Sequence, residues 1–389
     1  CNKVRLMPFT TTFASLSSKG FSSDLPIFVD YILKDTQTLA DPIWIDIAGD
    51  TGGAVILSSL NTELYIEGMA GNTLPTFSSA TPFSIATNES RIDKNGTYAI
   101  SGPISIVGVA TIYYAATANN WSLQTTISPV GTYNNFGDNV NINENGDTVA
   151  VFGTTPTNTF ALEISSRTGV STWAYDQTLT DGVVGSAFGI KSDFNTAGDA
   201  LIVGAFGIDG TYTDEGQAYI YELSGGTWSL TATLQSPDTP TINNWGFGTY
   251  VCMNATGDSV IISTIQGMAS YRFQKSGGTW SHTASFYPTD TLTGQTLSPS
   301  GGGVMDADKN NHSVIIMNGQ VPALSGGYAK GRLVIGNLGG GQYVQTQTFA
   351  TTVIPDGNSL GIGGISLTND GNKFVTTDFV DNIYLYAKA

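Results

Sequence analysis

The segment Phe188–Pro237 contains the pattern that most limits how this chain can fold. A short strand-like stretch ends in the turn Asn195–Asp199, and three further runs follow it, at Ala200–Gly204, Ala218–Tyr221 and Thr227–Leu234. Apolar, β-branched and aromatic runs separated by Gly, Asn and Asp are typical of strands joined by tight hairpin turns. The segment therefore predicts a four-stranded antiparallel meander, which needs neighbouring sheets to cover both of its faces.

Copies of this segment recur along the chain. Each copy has a turn rich in Asn, Asp and Gly, and the equivalent turn positions are Gly52, Gly96, Gly146, Gly198, Gly257, Asn311 and Gly371. These positions are 44 to 60 residues apart, which is the spacing expected for propeller blades. An aromatic residue at the start of the outer run recurs in the same phase, at Trp121, Trp173, Trp228, Trp280 and Tyr343. Together the two signals predict an all-β fold, a seven-bladed β-propeller of four-stranded antiparallel blades.

The two ends of the repeat pattern complement each other. The last copy stops after its third strand, Ile383–Tyr386, while the stretch Phe28–Leu39 resembles the fourth strand of a blade. Pairing the two closes the ring and removes two exposed strand edges. The sequence therefore predicts a propeller domain over residues 28–389 whose ring is closed by an N-terminal strand. Residues 1–27 do not match the repeat and are predicted to form an N-terminal arm.

Charge and hydropathy exclude two classes of partner. The chain has 15 basic and 31 acidic residues, a formal net charge of −16, and a surface of that sign repels phosphate backbones. No nucleic-acid partner is therefore predicted. The longest apolar stretch, Ile104–Ala118, is too short for a bilayer and is interrupted by polar residues and glycine, so no transmembrane segment is predicted either.

The two cysteines provide no disulfide framework. Cys252 lies in an apolar run and is predicted to pack as a small buried hydrophobe. Cys1 opens the sequence and has three competing interpretations: the boundary of a fragment, the product of a proteolytic cut, or the lipid-bearing first residue of a bacterial lipoprotein.

The central segment resembles the FG-GAP repeat, the blade type of integrin α-subunit propellers and of many bacterial and viral surface proteins. The resemblance lies in Asp193-Phe194-Asn195, in Gly198-Asp199, and in the Phe-Gly pairs that begin at Phe136, Phe188 and Phe247. It extends loosely over residues 28–389 and closely over three or four copies. The resemblance implies extracellular adhesion or a structural role, with ligands bound by loops at one end of the ring.

The same family often binds Ca²⁺ in the turn between the first two strands of a blade. By this resemblance Asp193, Asn195 and Asp199 are the candidate ligands, although Ala197 occupies the third ligand position and the turn is one residue short. Ca²⁺ requires six or more oxygen ligands, several of them carboxylates. The competing interpretation is a hairpin turn whose Asn and Asp side chains bond to their own backbone. No other cofactor is predicted.

The residue inventory argues against an enzyme. The only histidines, His282 and His312, lie in different copies of the repeat, and the five arginines are dispersed. General acid–base or metal chemistry requires such groups to converge in one pocket. Four tryptophans could instead serve as stacking platforms for a glycan, and the alternative is that each packs against its own blade. These candidates are Trp121, Trp173, Trp228 and Trp280.

The sequence predicts a non-enzymatic propeller located extracellularly, on a cell surface or on a virion. Its expected role is that of a structural or adhesion subunit of a larger assembly. The predicted partners are other protein subunits, contacted through residues 1–27, or a glycan. Two alternatives stay open on the sequence, a propeller enzyme that acts on polysaccharides and a surface-anchored lipoprotein that serves as a binding module.

Overall fold

The fold is that of a β-propeller, as seen in a computed structural model. No described residue lies in a helix, so none of them belongs to a helix able to cross a membrane. The structure describes residues 31–38, 42–47, 54–59, 63–68, 83–84, 87–103, 108–117, 120–265, 269–290, 295–296, 305–311, 313–318, 332–349, 365–377 and 382–388. The predicted arm, residues 1–27, lies outside these ranges.

The described strands form seven four-stranded antiparallel sheets and one two-stranded sheet. Written from the innermost strand outward, sheet 1 contains β2 (Pro42–Ile47), β3 (Ala54–Ser59), β4 (Glu63–Gly68) and β5 (Phe83–Ser84); sheet 2 contains β6 (Thr87–Ile92), β7 (Tyr98–Pro103), β8 (Ala110–Ala115) and β9 (Trp121–Ile127); sheet 3 contains β10 (Val140–Ile142), β11 (Thr148–Thr154), β12 (Phe160–Gly169) and β13 (Thr172–Leu179); sheet 4 contains β14 (Ser192–Phe194), β15 (Ala200–Ala205), β16 (Gln217–Ser224) and β17 (Thr227–Leu234). Sheet 5 contains β18 (Val251–Met253), β19 (Ser259–Ser263), β20 (Ser270–Ser276) and β21 (Thr279–Phe286); sheet 6 contains β24 (Met305–Ala307), β25 (Ser313–Asn318), β26 (Arg332–Gly339) and β27 (Gln342–Phe349); sheet 7 contains β28 (Ile365–Leu367), β29 (Lys373–Thr377), β30 (Asn382–Lys388) and β1 (Tyr31–Thr38). The two-stranded sheet pairs β22 (Thr289–Asp290) with β23 (Gln295–Thr296).

The predicted blade type is confirmed. Successive sheets contact each other through their inner strands, and sheet 7 contacts sheet 1, as a propeller requires. In sheets 2 to 7 every strand has at least three residues, so six complete blades are described and the predicted count of seven is not confirmed. The outermost strand of sheet 1 has only the two residues Phe83–Ser84, and residues 69–82 before it lie outside the description.

The predicted closure of the ring is also confirmed. Strand β1 forms the outer edge of sheet 7 and pairs antiparallel with β30, from Tyr31 opposite Lys388 to Thr38 opposite Asn382. The first described strand and the last one therefore share a single blade, and the outer edge of β30 is covered.

Apolar side chains fill the space between adjacent sheets. The second strand of a blade is covered on both faces, so every residue of β15, Ala200–Ala205, is buried. Phe188 and Phe194 are fully buried where sheets 3 and 4 meet, and the ring of Trp228 packs on Phe194 with centroids 6.1 Å apart. The aromatic residues that recur in the sequence thus supply much of the inter-blade core.

The recurring turn is held by an asparagine side chain. In sheet 4, Asn195 Oδ1 accepts hydrogen bonds from the backbone nitrogens of Asp199 and Ala200, both at 3.0 Å, and Asn195 Nδ2 donates to Asp199 Oδ1 at 2.7 Å. Asn143 and Asn254 make the same bonds in sheets 3 and 5. Local side-chain bonding of this kind explains the Asn-x-x-Gly-Asp pattern without any bound ion.

In sheets 3, 4, 5 and 7 the turn glycine packs closely against the preceding sheet. Gly198 has a φ of +74°, and a Cβ placed on it would lie 2.6 Å from Nδ2 of Asn143 in the neighbouring sheet. A Cβ placed on Gly146 or on Gly371 would likewise lie 2.7 Å from Oδ2 of Asp93 or of Asp308, respectively. Glycine is thus required by both the backbone conformation and the close inter-blade contact.

A β-bulge recurs in the outermost strands. One extra residue interrupts the pairing of the third and fourth strands in sheets 2 to 6, at Gln124, Asp176, Thr231, Thr283 and Thr346. The three bulged threonines donate their hydroxyls to carbonyl oxygens of the third strand, at 3.3 to 3.5 Å. Bulges twist an exposed edge and hinder its pairing with another chain, so these outer edges are protected against edge-to-edge aggregation.

Candidate functional site

The innermost strands direct one residue of each sheet toward the axis of the ring. These seven residues occupy equivalent positions and surround a cavity of about 90 Å³, which we call the axial chamber; they are Asp46, Arg91, Asn141, Asp193, Cys252, Asp306 and Ser366. Side chains alternate along a strand, so the flanking residues face the inter-blade core, as the buried Val140 and Ile142 do. The chamber is polar and has room for a few water molecules.

Most of these residues bind the backbone of an adjacent sheet. Three carboxylates accept hydrogen bonds from backbone nitrogens of the next sheet: Asp46 from Ile92 at 3.0 Å, Asp193 from Met253 at 2.7 Å and Asp306 from Leu367 at 2.7 Å. Ser366 Oγ accepts from the nitrogen of Ile47 at 3.2 Å, and Asn141 Nδ2 donates to the carbonyl oxygen of Ser192. The chamber residues therefore join sheets 1 and 2, 3 and 4, 4 and 5, 6 and 7, and 7 and 1.

A charged pair lies at one end of the chamber. Lys191 of sheet 4 donates to both carboxylate oxygens of Glu89 in sheet 2, at 3.2 Å, and its Nζ lies 5.8 Å from the ring centroid of Tyr250 in sheet 5. Arg91 also binds Glu89, with Nη2 at 2.9 Å from Oε1. Lys191 thus reaches over sheet 3 and joins two sheets that are not adjacent in the ring.

A second charged cluster crosses the other end. Lys309 of sheet 6 donates to both carboxylate oxygens of Asp193 in sheet 4 at 2.9 Å, and it lies 3.7 Å from Oε1 of Glu144 in sheet 3. Asn369 of sheet 7 donates to the remaining oxygen of Glu144 at 2.5 Å. Burial alone would lower the pKa of Lys309, but Asp193 and Glu144 together raise it, so the ammonium stays charged.

Enclosure in the chamber changes the acidity of its carboxyl groups. Burial raises the pKa of Asp306 to about 7, although the hydrogen bond from Leu367 and the charge of Arg91 both oppose the rise. Burial likewise raises the pKa of Asp46, against the influence of Arg91 and the bond from Ser366. The pKa of the Cys252 thiol is raised well above its usual value by burial and then by Asp306, so this thiol is held in its unreactive protonated form.

The raised pKa of Asp306 predicts a specific pH dependence of stability. The unfolded chain releases this proton near pH 4, whereas the folded chain holds it to about pH 7, so the Asp306 contribution to the free energy of unfolding falls as pH rises between these values. The Asp306→Asn variant has no carboxyl group that titrates at this position. As pH rises over this range, we therefore expect its free energy of unfolding to increase relative to that of wild type, by on the order of 1 to 3 kcal/mol. Urea denaturation at a series of pH values measures this difference. Asp176→Asn, an exposed carboxylate on β13, is the control, and equal pH profiles for the two variants would contradict the prediction.

The structure separates the predicted Ca²⁺ ligands. Asp193 points into the axial chamber and pairs with Lys309, while Asn195 and Asp199 bond to each other in the turn. Within the described ranges no three His, Cys, Asp or Glu side chains are grouped so that they could hold a metal ion. The geometry therefore favours the hairpin-turn interpretation of this motif.

The tryptophans predicted as stacking platforms are placed mainly by packing. Trp228 is 3% exposed, and its backbone exchanges two 2.9 Å hydrogen bonds with the side chain of Gln177 in sheet 3. Trp173 is half-buried and lies edge-on to Tyr98 of sheet 2, with centroids 6.4 Å apart. Trp121 and Trp280 are also half-buried. The covered faces of Trp228 leave no room for a sugar, and the arrangement favours the packing interpretation.

Sequence reasoning missed the axial chamber, although the sequence contains a signal for it. In six of the seven copies a polar residue or cysteine stands five positions before the turn position, as Asn141 does before Gly146 and Asp306 before Asn311. In the first copy Asp46 stands six positions before Gly52. A polar residue at a fixed place between two apolar ones is the pattern of an inner strand whose middle residue faces the axis.

Comparison with known proteins does not assign the chain to a family. No protein-family model matches the sequence, and no curated protein matches it.

Proposed function

We propose that this protein is a non-enzymatic binding and structural subunit, displayed extracellularly on a cell surface or on a virion. In this proposal all seven sheets are blades of one FG-GAP-type propeller, and the ring is a rigid support that presents its rim loops to partners. The arm of residues 1–27 is the proposed contact to other subunits of the assembly.

The observation that carries the proposal is how the charges of the axial chamber are used. The ion pairs Glu89–Lys191 and Asp193–Lys309 each join two sheets that are not adjacent, at opposite ends of the chamber, and the carboxylates of Asp46 and Asp306 accept backbone hydrogen bonds from neighbouring sheets. Groups that serve catalysis must reach a substrate, often through a cleft that opens to solvent. Here the groups with shifted pKa values hold the blades together, which supports a structural use of the ring centre.

Rigidity of this kind favours recognition by loops. A scaffold whose blades are fixed to each other loses little conformational entropy when its loops bind a partner. The connections between the second and third strands and those between successive sheets emerge at the same end of the ring, because neighbouring strands are antiparallel. In this proposal these loops contact the partner.

Surface display is tested by immunogold electron microscopy on the intact cells or particles that carry the protein. We expect gold label on the outer surface, and label confined to the cell interior would contradict the proposal. The competing enzymatic function is tested on polysaccharide and peptide substrates with wild-type protein, Asp306→Asn and Asp46→Asn. Product formation that either substitution abolishes would show that the chamber is catalytic.

A further inference from the structure

A pocket on the rim of sheet 4 lies outside the axial chamber. It is formed by the loop between β15 and β16, residues 206–216, and by the start of the connection that leads from β17 to sheet 5, residues 235–241. Its volume is about 490 Å³, within the range of pockets that bind small ligands. The pocket lies at the loop-bearing end of the ring.

The polar groups of this rim pocket are held in fixed positions. Glu215 Oε1 accepts a hydrogen bond from the backbone nitrogen of Tyr212 at 2.7 Å, and Asp209 Oδ1 accepts one from Asp214 at 2.9 Å. Asp238 accepts hydroxyl hydrogen bonds from Tyr271 at 2.7 Å and from Tyr287 at 2.8 Å. Each carboxylate therefore has a neutral donor that orients it and further lone pairs for a ligand.

The lining combines hydrogen-bond acceptors with donors. Besides the three carboxylates it contains two amide side chains and five hydroxyl side chains: Gln217, Gln235, Thr211, Tyr212, Ser236, Thr239 and Thr241. A ligand group that only donates, such as an ammonium or guanidinium, would leave the amide nitrogens of the lining without acceptors. A ligand whose groups both donate and accept matches this mixture.

An exposed aromatic ring stands beside the pocket. Tyr287 is 52% exposed, yet its ring is fixed, because its hydroxyl binds Asp238 and its edge meets Tyr271 at an interplanar angle of 85° and a centroid distance of 6.2 Å. A fixed, half-exposed tyrosine presents an apolar face next to a polar site. Such a face stacks on the C–H surface of a pyranose ring.

We propose that the rim pocket binds an uncharged saccharide, with Tyr287 as the stacking platform and Asp238 as an acceptor for the sugar hydroxyls. The carboxylates disfavour anionic sugars by like-charge repulsion. This inference rests on the proposed binding function and names its ligand class and site.

Saturation-transfer NMR on the full chain tests the proposal with the methyl glycosides of glucose, galactose, mannose and N-acetylglucosamine. We expect at least one glycoside to bind with a Kd of about 1 mM, and N-acetylneuraminic acid to bind more weakly. Tyr287→Ala and Asp238→Ala should each weaken binding by about tenfold. Tyr287→Phe keeps the aromatic ring, so its affinity for the saccharide should fall less than that of Tyr287→Ala.

The matched control is Tyr175→Ala, which removes a tyrosine that is 44% exposed on β13, away from the pocket. It should leave saccharide binding unchanged. Absence of binding by all four glycosides, binding of L-arginine amide alone, or full binding by folded Tyr287→Ala and Asp238→Ala would overturn the inference. Gold label on the outer surface together with any of these results would leave the proposed display function standing, so the two failures are distinguishable.

Discussion

Removal of residues 1–40 is expected to open the ring and to abolish its cooperative unfolding. The deletion removes β1, which pairs with β30 along the whole outer edge of sheet 7. Its loss exposes the backbone groups of β30 and leaves sheet 7 with three strands. We expect a loss comparable with the whole stability of a typical domain, about 5 to 15 kcal/mol. Circular dichroism melting and size-exclusion chromatography measure the loss of the transition and the appearance of aggregates.

The control for this deletion is a chain that lacks only residues 1–30. It keeps β1, Tyr31–Thr38, and is expected to unfold cooperatively. If the chain lacking residues 1–40 melts at the same temperature as the one lacking residues 1–30, strand β1 does not hold the ring closed.

Substitution of Lys309 is expected to cause the largest effect of any single change in the axial chamber. Lys309→Met retains most of the side-chain volume but removes the charge that pairs with Asp193 and Glu144. The Lys309 and Asp193 side chains are 13% and 21% exposed, so both carboxylates would remain mostly buried without their cation. We expect a loss of about 3 kcal/mol in the free energy of unfolding, measured by urea denaturation. Adding Asp193→Asn to Lys309→Met should restore part of this loss, because it removes one of the unpaired charges.

Lys275→Met is the matched control for the Lys309 prediction. Lys275 forms a 2.5 Å ion pair with Glu222 in which both side chains are more exposed, at 28% and 30%. Ion pairs open to solvent contribute about 0 to 1 kcal/mol, so a small effect is expected. If both methionine variants lose the same free energy of unfolding, the pairing of Lys309 with Asp193 and Glu144 stabilises the fold no more than an exposed ion pair does.

The local pattern of the sequence was sufficient to predict the blades and their closure. Turn formation by Asn195 and Gly198 depends on atoms within a few residues, so its chemistry is visible in the sequence. The missing fourth strand of the last copy identified the stretch Phe28–Leu39 as its partner, and β1 lies within that stretch and pairs there. The number of complete blades was harder to predict, because Phe83–Ser84 is too short to give a strand pattern.

The axial chamber could not be predicted in the same way, because its pairs are remote in sequence. Glu89 and Lys191 are 102 residues apart, and Asp193 and Lys309 are 116 residues apart. Each residue alone has the pattern of a polar position on a strand, and only the ring brings the partners together. The pairing of Asp193 has the same origin, since Asp193 lies two positions before Asn195 in the turn motif but its carboxylate faces the axis.

The contact between a turn glycine and the preceding blade also limits how the number of blades in such a ring can change in evolution. Duplication of a gene segment inserts a copy next to a new neighbour, and the copy fits only if short side chains of that neighbour face its glycine, as Asn143 faces Gly198 and Ala200 and Asn195 face Gly257. The contacts between sheets 3 and 4 and between sheets 4 and 5 are of this kind, so we expect a copy of sheet 4 or 5 to fit at either place. Sheet 6 is different, because Asn311 replaces the glycine there, is fully buried and donates to Ser259 at 3.2 Å. We therefore expect related propellers with more or fewer blades to have gained or lost them between sheets 3 and 5, and to keep the contact made by Asn311.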